Sequence, residues 1–260
     1  MIIGIDHVII AVEELNKAMD AWQKLGFQVL KGGEHPQFGT HNALVPLSDG
    51  FYFELMAIKD PTLIDRFPVT RRLHEILAGD NRFLGFALDS DGLGGDVDAI
   101  RERGLAIHKA PPGERVRPDG LRVAWRTAHP EDSRLPFLIQ DQTPREVRIP
   151  APEQGLGQAL RVLSVEVVSQ NRQTLRENYA KLLGGGAGGE VFALKRGAIQ
   201  VASVGSADGI ETVVLKAGDL TPVARQWDSQ GISFRKEKSS KHGHVLIPTD
   251  TSGARLMVSG

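Results

Sequence analysis

Glu54 stands in the run FYFELM (51–56), flanked by Phe53 and Leu55, and His41 opens the alternating run HNALVPL (41–47) just before it. Both runs read as buried β-structure, and the intervening Ser48-Asp49-Gly50 supplies turn chemistry for a hairpin. An ionised carboxylate taken out of water costs several kcal/mol unless something compensates it. An arginine such as Arg122 or Arg126 is one candidate partner. A cation shared with nearby imidazoles is another, and it would hold the carboxylate ionised. A carboxylate and an imidazole facing one enclosed space can also move a proton. His7, beside Asp6 in the apolar run IDHVII, offers a second imidazole. Strand alternation places Tyr52 and Met56 on the face of Glu54, with Phe53 and Leu55 on the opposite, packed face.

The elements that must position these residues repeat. Residues 2–12 form a β-branched strand, followed by EELNKAMDAWQKLGF, in which Leu15, Ala18, Met19, Trp22 and Leu25 share one helical face. Gly26 suits the helix stop. Strands are predicted at 28–31, 42–47 and 51–58, which makes the unit βαβββ. A second copy begins near Arg82, with RFLGFALD, a helix capped by Asp96 and stopped by Gly104, then AIHKA, GLRVAWRTA and LPFLIQD. A third has LRVLSVEVV, a helix after Asn171 stopped by Gly184, a GGGAGG loop (184–189) and two strands only. The fourth has IETVVLKA, a helix opened by Thr221-Pro222 and stopped by Gly231, then ISFRKE, GHVLIPT and RLMVS. The fold class is therefore α+β: four tandem βαβββ modules, the third abbreviated, paired into curved mixed sheets with helices on the outer face. TPREVRIPAPEQGLGQAL (143–160) reads as a linker between two halves, 1–145 and 158–260.

Composition narrows the function classes. The 260 residues carry a net charge of −1, with no basic tail to mark a nucleic-acid or anionic-membrane partner. The chain has no cysteine, which excludes disulfides and thiolate chemistry. No run approaches the roughly 20 apolar residues of a membrane span. The first strand lacks the basic flank of a signal peptide, so a cytoplasmic protein is the expectation. DGLGGD (91–96) lacks phosphate-loop spacing, so no nucleotide cofactor is expected, and no serine nucleophile elbow occurs.

Paired strand-helix-three-strand modules, and the opening IDHVIIAV-EEL-AMDAWQKLGF, resemble the vicinal oxygen chelate superfamily. That group includes glyoxalase I, extradiol dioxygenases and bleomycin-binding proteins. GGEHPQFGTHNALVPLSDGFYFELMA, with LRVAWRTAHP and LPFLIQDQTP, is more closely similar to its glyoxalase-like domain branch, over residues 2–142. The resemblance implies a cup between two modules, with metal ligands on the first and last strands of each. His7 and Glu54 then take the first module's two positions, while Gly85 and Gln140 fall at the second module's. Gly85 offers no donor and Gln140 a neutral one. His41, on the strand before Glu54, is expected to project into the same cup. His7, His41 and Glu54 would form two imidazoles and one carboxylate with open positions, a set suited to Zn, Mn, Fe or Ni.

The implied chemistry is that of a metal-dependent lyase, isomerase or dioxygenase acting on a small substrate with vicinal oxygens, with Glu54 or His41 moving the proton. The rival is a metal-free protein that sequesters a small compound in a cup lined by Phe51, Phe53, Trp125 and Phe137. His35 sits in a loop able to fold over the cup. Trp125 and Arg126 point to opposite faces of their strand, and an inward Arg126 would clamp an anionic group. The H-x-H pair His242 and His244 reads as surface. Cups of this superfamily also form between chains, which leaves room for a homodimer.

Overall fold

The buried, β-branched opening of the chain forms β1 (Ile2–Ala11), the strand on which the first half is centred. The computed structural model describes residues 1–185, 189–202, 208–249 and 251–260, so residues 186–188 of the expected GGGAGG loop lie outside it. After β1 come α1 (Leu15–Lys24), β2 (Leu30–His35), β3 (Thr40–Pro46) and β4 (Tyr52–Ile58). Leu15, Ala18 and Trp22 are the buried face of α1, as their helical spacing requires. α2 (Pro68–Leu77) is an addition that the repeat pattern passes over. Its Leu73 and Ile76 pack on Ile9, Ala11 and Met56, on the face of the sheet opposite α1.

The second module holds β5 (Phe83–Ser90), α3 (Leu93–Glu102), β6 (Ile107–Lys109), β7 (Gly113–Val116), β8 (Arg122–Pro130) and β9 (Phe137–Asp141). α3 begins a turn earlier than its expected Asp96 cap. Asp96 lies in the first turn and accepts a hydrogen bond from Ser90 Oγ (2.6 Å). α4 (Arg145–Arg148) follows inside the expected linker. The third module is short, with β10 (Arg161–Val168), α5 (Arg172–Leu183), β11 (Val191–Ala193) and β12 (Ala198–Val201). The fourth is complete, with β13 (Gly209–Lys216), α6 (Thr221–Ser229), β14 (Phe234–Ser239), β15 (Gly243–Pro248) and β16 (Leu256–Ser259). Gly26, Gly104, Gly184 and Gly231, which follow the four module helices, have φ of 92°, 77°, 76° and 66°. That left-handed region is where a side chain is strained and glycine is not.

Two mixed sheets result, ordered β2-β3-β4-β1-β5-β9-β8-β6, with β7 also on β8, and β11-β12-β10-β13-β16-β15-β14. In each half the two modules join antiparallel through their first strands, β1 with β5 and β10 with β13. Each first strand also pairs in parallel with its module's last strand, as β1 does with β4. This is the paired-module architecture read from the repeats.

The halves are not loosely tethered. One apolar core contains Ile5, Trp22 and Phe53 of the first and Val162, Tyr179 and Trp227 of the second. The Trp227 indole donates to the carbonyl of Leu25 (3.0 Å), and Ile5 N–H donates to the carbonyl of Arg196 (3.0 Å). Gly4 permits that approach, because a Cβ there would lie 2.5 Å from Arg196 Cβ. Calorimetry of the full chain should therefore give one endotherm with equal calorimetric and van't Hoff enthalpies. Two resolved transitions would show that the shared core does not couple the halves.

Candidate functional site

The register of three strands builds the floor of a cup. β1 and β4 pair His7 with Tyr52 and Ile9 with Glu54, while β3 and β4 pair Leu44 with Glu54 and Asn42 with Met56. Alternation then sends Phe53, Leu55, Ala43 and Val45 into the core and leaves Tyr52, Glu54, Met56, Asn42 and Leu44 on the concave side. The cavity above them is about 520 Å³. Trp125, Thr127 and His129 of β8 and Phe137 and Ile139 of β9 form the far wall, with Phe38, Pro111 and Pro112 at the mouth.

A β-bulge between Ile5 and His7 is the local irregularity that makes the floor chemical. The extra residue is Asp6, fully buried, and its Oδ1 accepts a hydrogen bond from His7 Nδ1 (2.6 Å). A carboxylate is an acceptor only, so Nδ1 carries the hydrogen and Nε2 is the free atom. His7 Nε2 faces Glu54 Oε2 at 3.4 Å, while Glu54 Oε1 accepts from Asn42 Nδ2 at 2.5 Å. The His7 ring is stacked on Tyr52, centroids 4.6 Å apart. The orienting carboxylate, the fixed tautomer and the carboxylate opposite form one buried line.

Beneath it lies a charge network. Asp6 Oδ2 accepts from Arg145 Nη1 (2.6 Å) and Arg148 Nη2 (2.8 Å), and Arg148 Nη1 donates to the Tyr52 hydroxyl (2.8 Å). Arg148 also meets Asp141, and Arg196 of the second half pairs with Asp89 at 2.7 Å. Complete burial alone would raise the Asp6 pKa, but Arg148, the His7 hydrogen bond and Arg145 together hold it well below the usual carboxylate range. Burial pushes the Tyr52 phenol up, so it stays neutral.

The structure brings His7 and Glu54 together as expected, and places Tyr52 and Met56 on the face of Glu54. His35 is in the cup, its Nδ1 3.1 Å from Thr40 Oγ1, and burial lowers its pKa. Trp125 lines the cup. The other expectations are corrected. His41 pairs in register with Ala57, a core-facing residue, and so faces away from the cup into a separate groove beside α1. Its neighbour Asn42 takes the position expected of it. Phe51 and Phe53 are buried in the core, ring against ring. Arg126 is exposed, because Trp125, Thr127 and His129 take the inner face of β8. Gln140 points outward and accepts from the backbone N–H of Leu93, leaving Ile139 in the cup. A one-residue displacement inverts a strand side chain's face, and that accounts for both Arg126 and Gln140. Ala87, not Gly85, is opposite His7.

Neither arginine named for Glu54 pairs with it, and Arg115 of the cup is the one whose charge acts on it. Arg122 pairs with Glu114 and Arg126 is outside. In the second half His242 is not a free surface residue, since Glu166 lies 3.0 Å from its Nε2 in a largely buried pair, whereas His244 is exposed. Asp6, Asn42, Arg115 and Arg148 line or underlie the cup, and the sequence reading left them out. Arg148 had one sequence signal, its spacing of three from Arg145, but that fell in a segment read as linker.

The donor set bears directly on a metal. Among the described residues no cluster of three or more His, Asp or Glu is arranged to hold one. Ala87 and Ile139 stand where the second module would supply donors. His7 Nε2 and Glu54 Oε2 nonetheless suit a shared cation, since two donors about 2.1 Å from one ion at a tetrahedral angle stand about 3.4 Å apart. Asp6 on Nδ1 is the outer carboxylate that a metal-bound histidine usually has. The residues fit a two-donor site whose remaining positions are open.

Removing Arg148 isolates the network's role. Arg148→Met leaves Asp6 buried with less compensation and should cost about 3–5 kcal/mol at pH 7, read by urea denaturation. In the wild type the lowered Asp6 pKa gives stability that is complete above the unfolded value near pH 4 and is lost only as the pH falls through the lower folded one. In the variant that folded pKa rises, so its deficit should shrink from pH 7 toward pH 4. A deficit independent of pH would show that packing alone is lost.

Three comparisons place this geometry. The model of the glyoxalase-like domain matches residues 5–183. No curated protein matches the sequence. Among solved structures, a hypothetical protein from Staphylococcus aureus is 16% identical, covered over 99% of both chains, with a TM-score of 0.73. A Mn(II)-bound glyoxalase from Novosphingobium aromaticivorans is 14% identical over 99% of this chain and 82% of that one, at a TM-score of 0.59. A catechol 2,3-dioxygenase is 13% identical over 99% and 87%, at 0.58. No described helix is long and apolar enough to cross a membrane. A family match over most of the chain, on a fold shared with glyoxalase and dioxygenase structures, assigns the chain to the glyoxalase-like domain family of the vicinal oxygen chelate superfamily.

Proposed function

We propose that the chain is a glyoxalase-like enzyme that takes a small molecule with vicinal oxygens into the first-half cup, with a divalent ion (Zn, Mn, Fe or Ni) held by His7 and Glu54. The observation that carries this reading is the 3.4 Å approach of His7 Nε2 to Glu54 Oε2, with His7 Nδ1–H already committed to Asp6. A neutral imidazole and an ionised carboxylate would face each other lone pair to lone pair. A positive charge between them removes that conflict. When bound, a divalent ion would act as a Lewis acid toward substrate oxygens and stabilise charge that develops on them.

The chain's own residues do the rest. Asp6 holds the His7 tautomer, and Asn42 fixes the Glu54 carboxylate by its other oxygen. Trp125 and Phe137 orient the apolar body of the substrate and exclude water. His35, kept neutral by burial, is the cup's candidate to accept a proton from a substrate C–H. Lyase, isomerase and ring-cleaving dioxygenase reactions all begin from this arrangement. A metal-free sequestering protein is the alternative, and the apolar Ala87 and Ile139 are what favour it.

Metal analysis of the purified protein and of Glu54→Gln separates the two. Glu54→Gln keeps the shape and the fold, and metal content should fall at least about tenfold. A wild type that takes up no Zn, Mn, Fe or Ni, or a Glu54→Gln variant with full occupancy, would reject the metal role.

A further inference from the structure

Arg115, on β7, is only 6% exposed and lines the cup. Its Nη1 donates to the carbonyl of Gly32 and its Nη2 to that of Arg148 (2.8 Å), both of them neutral acceptors. Among the described residues no carboxylate forms an ion pair with it. Glu114, its chain neighbour, pairs with Arg122 at 3.0 Å. Asp6 is taken by Arg145 and Arg148, and Glu54 is bonded to Asn42 and faces His7. The other arginines of the site, buried Arg148 and half-buried Arg145 and Arg196, each meet an aspartate.

Leaving a guanidinium in such a place is costly. Burial, the largest influence on it, lowers its pKa from the ordinary arginine value. The backbone is shaped to keep it there. β2 carries Gly32-Gly33 where β7 approaches, and a Cβ at Gly33 would lie 3.1 Å from the Val116 carbonyl and 3.5 Å from Arg115 Cδ. Gly33 lets Arg115 reach across to the β2 backbone. A guanidinium has five N–H donors in a planar fork, and the two carbonyls leave several of them open. A carboxylate is the anion that fits such a fork in a bidentate manner.

We infer that Arg115 is a ligand-binding residue that selects substrates bearing a carboxylate, on a body small and apolar enough to lie against Trp125 and Phe137. This deepens the reading of the cup as a ligand site, on which it rests, but it does not depend on a metal. The class is hydrophobic monocarboxylates, anchored by the acid at Arg115 and by the apolar body at the far wall.

Isothermal titration of the full chain with phenylacetate and with phenylacetamide, its neutral counterpart, tests the assignment. Phenylacetate should bind at least tenfold tighter than the amide. Arg115→Gln should abolish that preference while leaving the weak amide binding within twofold, and Arg115→Lys should restore part of it. Circular dichroism checks folding, and the wild-type preference requires no variant. Equal binding of acid and amide, no binding of either, or a preference that survives Arg115→Gln would overturn the inference. Glu54→Gln distinguishes the two readings. If Glu54→Gln removes the preference and Arg115→Gln does not, the carboxylate sits on the ion, and this inference fails while the proposed function stands. If the preference follows Arg115 and the protein takes up no metal, the metal reading fails and this one stands.

Discussion

The cup is organised by a conflict of lone pairs. Asp6 takes His7 Nδ1, so the other ring nitrogen meets the Glu54 oxygen at 3.4 Å, and with one proton on the ring the two would face each other as acceptors. Three things could relieve this: a second proton on the imidazole, a proton on the carboxylate, or a cation. Each places one unit or more of positive charge in the same small volume.

Maintaining that conflict requires structure well beyond the two strands involved. Asp6 would not stay ionised at complete burial without Arg145 and Arg148, which come from the segment joining the halves. Arg196, from the third module, adds its bond to Asp89 and donates to the Ile5 carbonyl just before the bulge. The second half thus has a physical part in the site. It buries the back of the first sheet and supplies one cation of the network that fixes the bulge. The joining segment is likewise as much a part of the cup floor as the strands are.

Much of this could be read in advance, and the limits are physical. Helix faces and helix-stopping glycines are local, so Gly26, Gly104, Gly184 and Gly231 announced the four modules. Strand alternation is also local, and it placed Tyr52, Glu54 and Met56 correctly. Pairing register is not local. The turn at 48–50 fixes β3 against β4, yet which of His41 and Asn42 faces inward depends on a one-residue count along that hairpin. The same uncertainty left open which of Trp125 and Arg126 faces inward and put Gln140 where Ile139 stands. The bulge that turns Asp6 toward His7 arises from β5 pairing, some eighty residues away in the chain. No composition signal reveals it, whereas Arg148 was passed over because its segment reads as a linker.

The two modules of the first half have also diverged in what they bring to one cavity. At matching positions of the sheet the first contributes His7, Tyr52 and Glu54, and the second contributes Ala87, Phe137 and Ile139. A cup built on two-fold repetition has thereby become asymmetric on its floor, with His7, Tyr52 and Glu54 facing Ala87, Phe137 and Ile139, while Arg115 of β7 brings the second module's charge from the side. A ligand with both polar and apolar ends has a single favourable orientation in such a space. A cation there would be held by His7 and Glu54, leaving positions that water or a ligand's oxygens could fill. Loss of the second module's donors is therefore compatible with catalysis, provided that the ligand's apolar part is held by the wall that lost them.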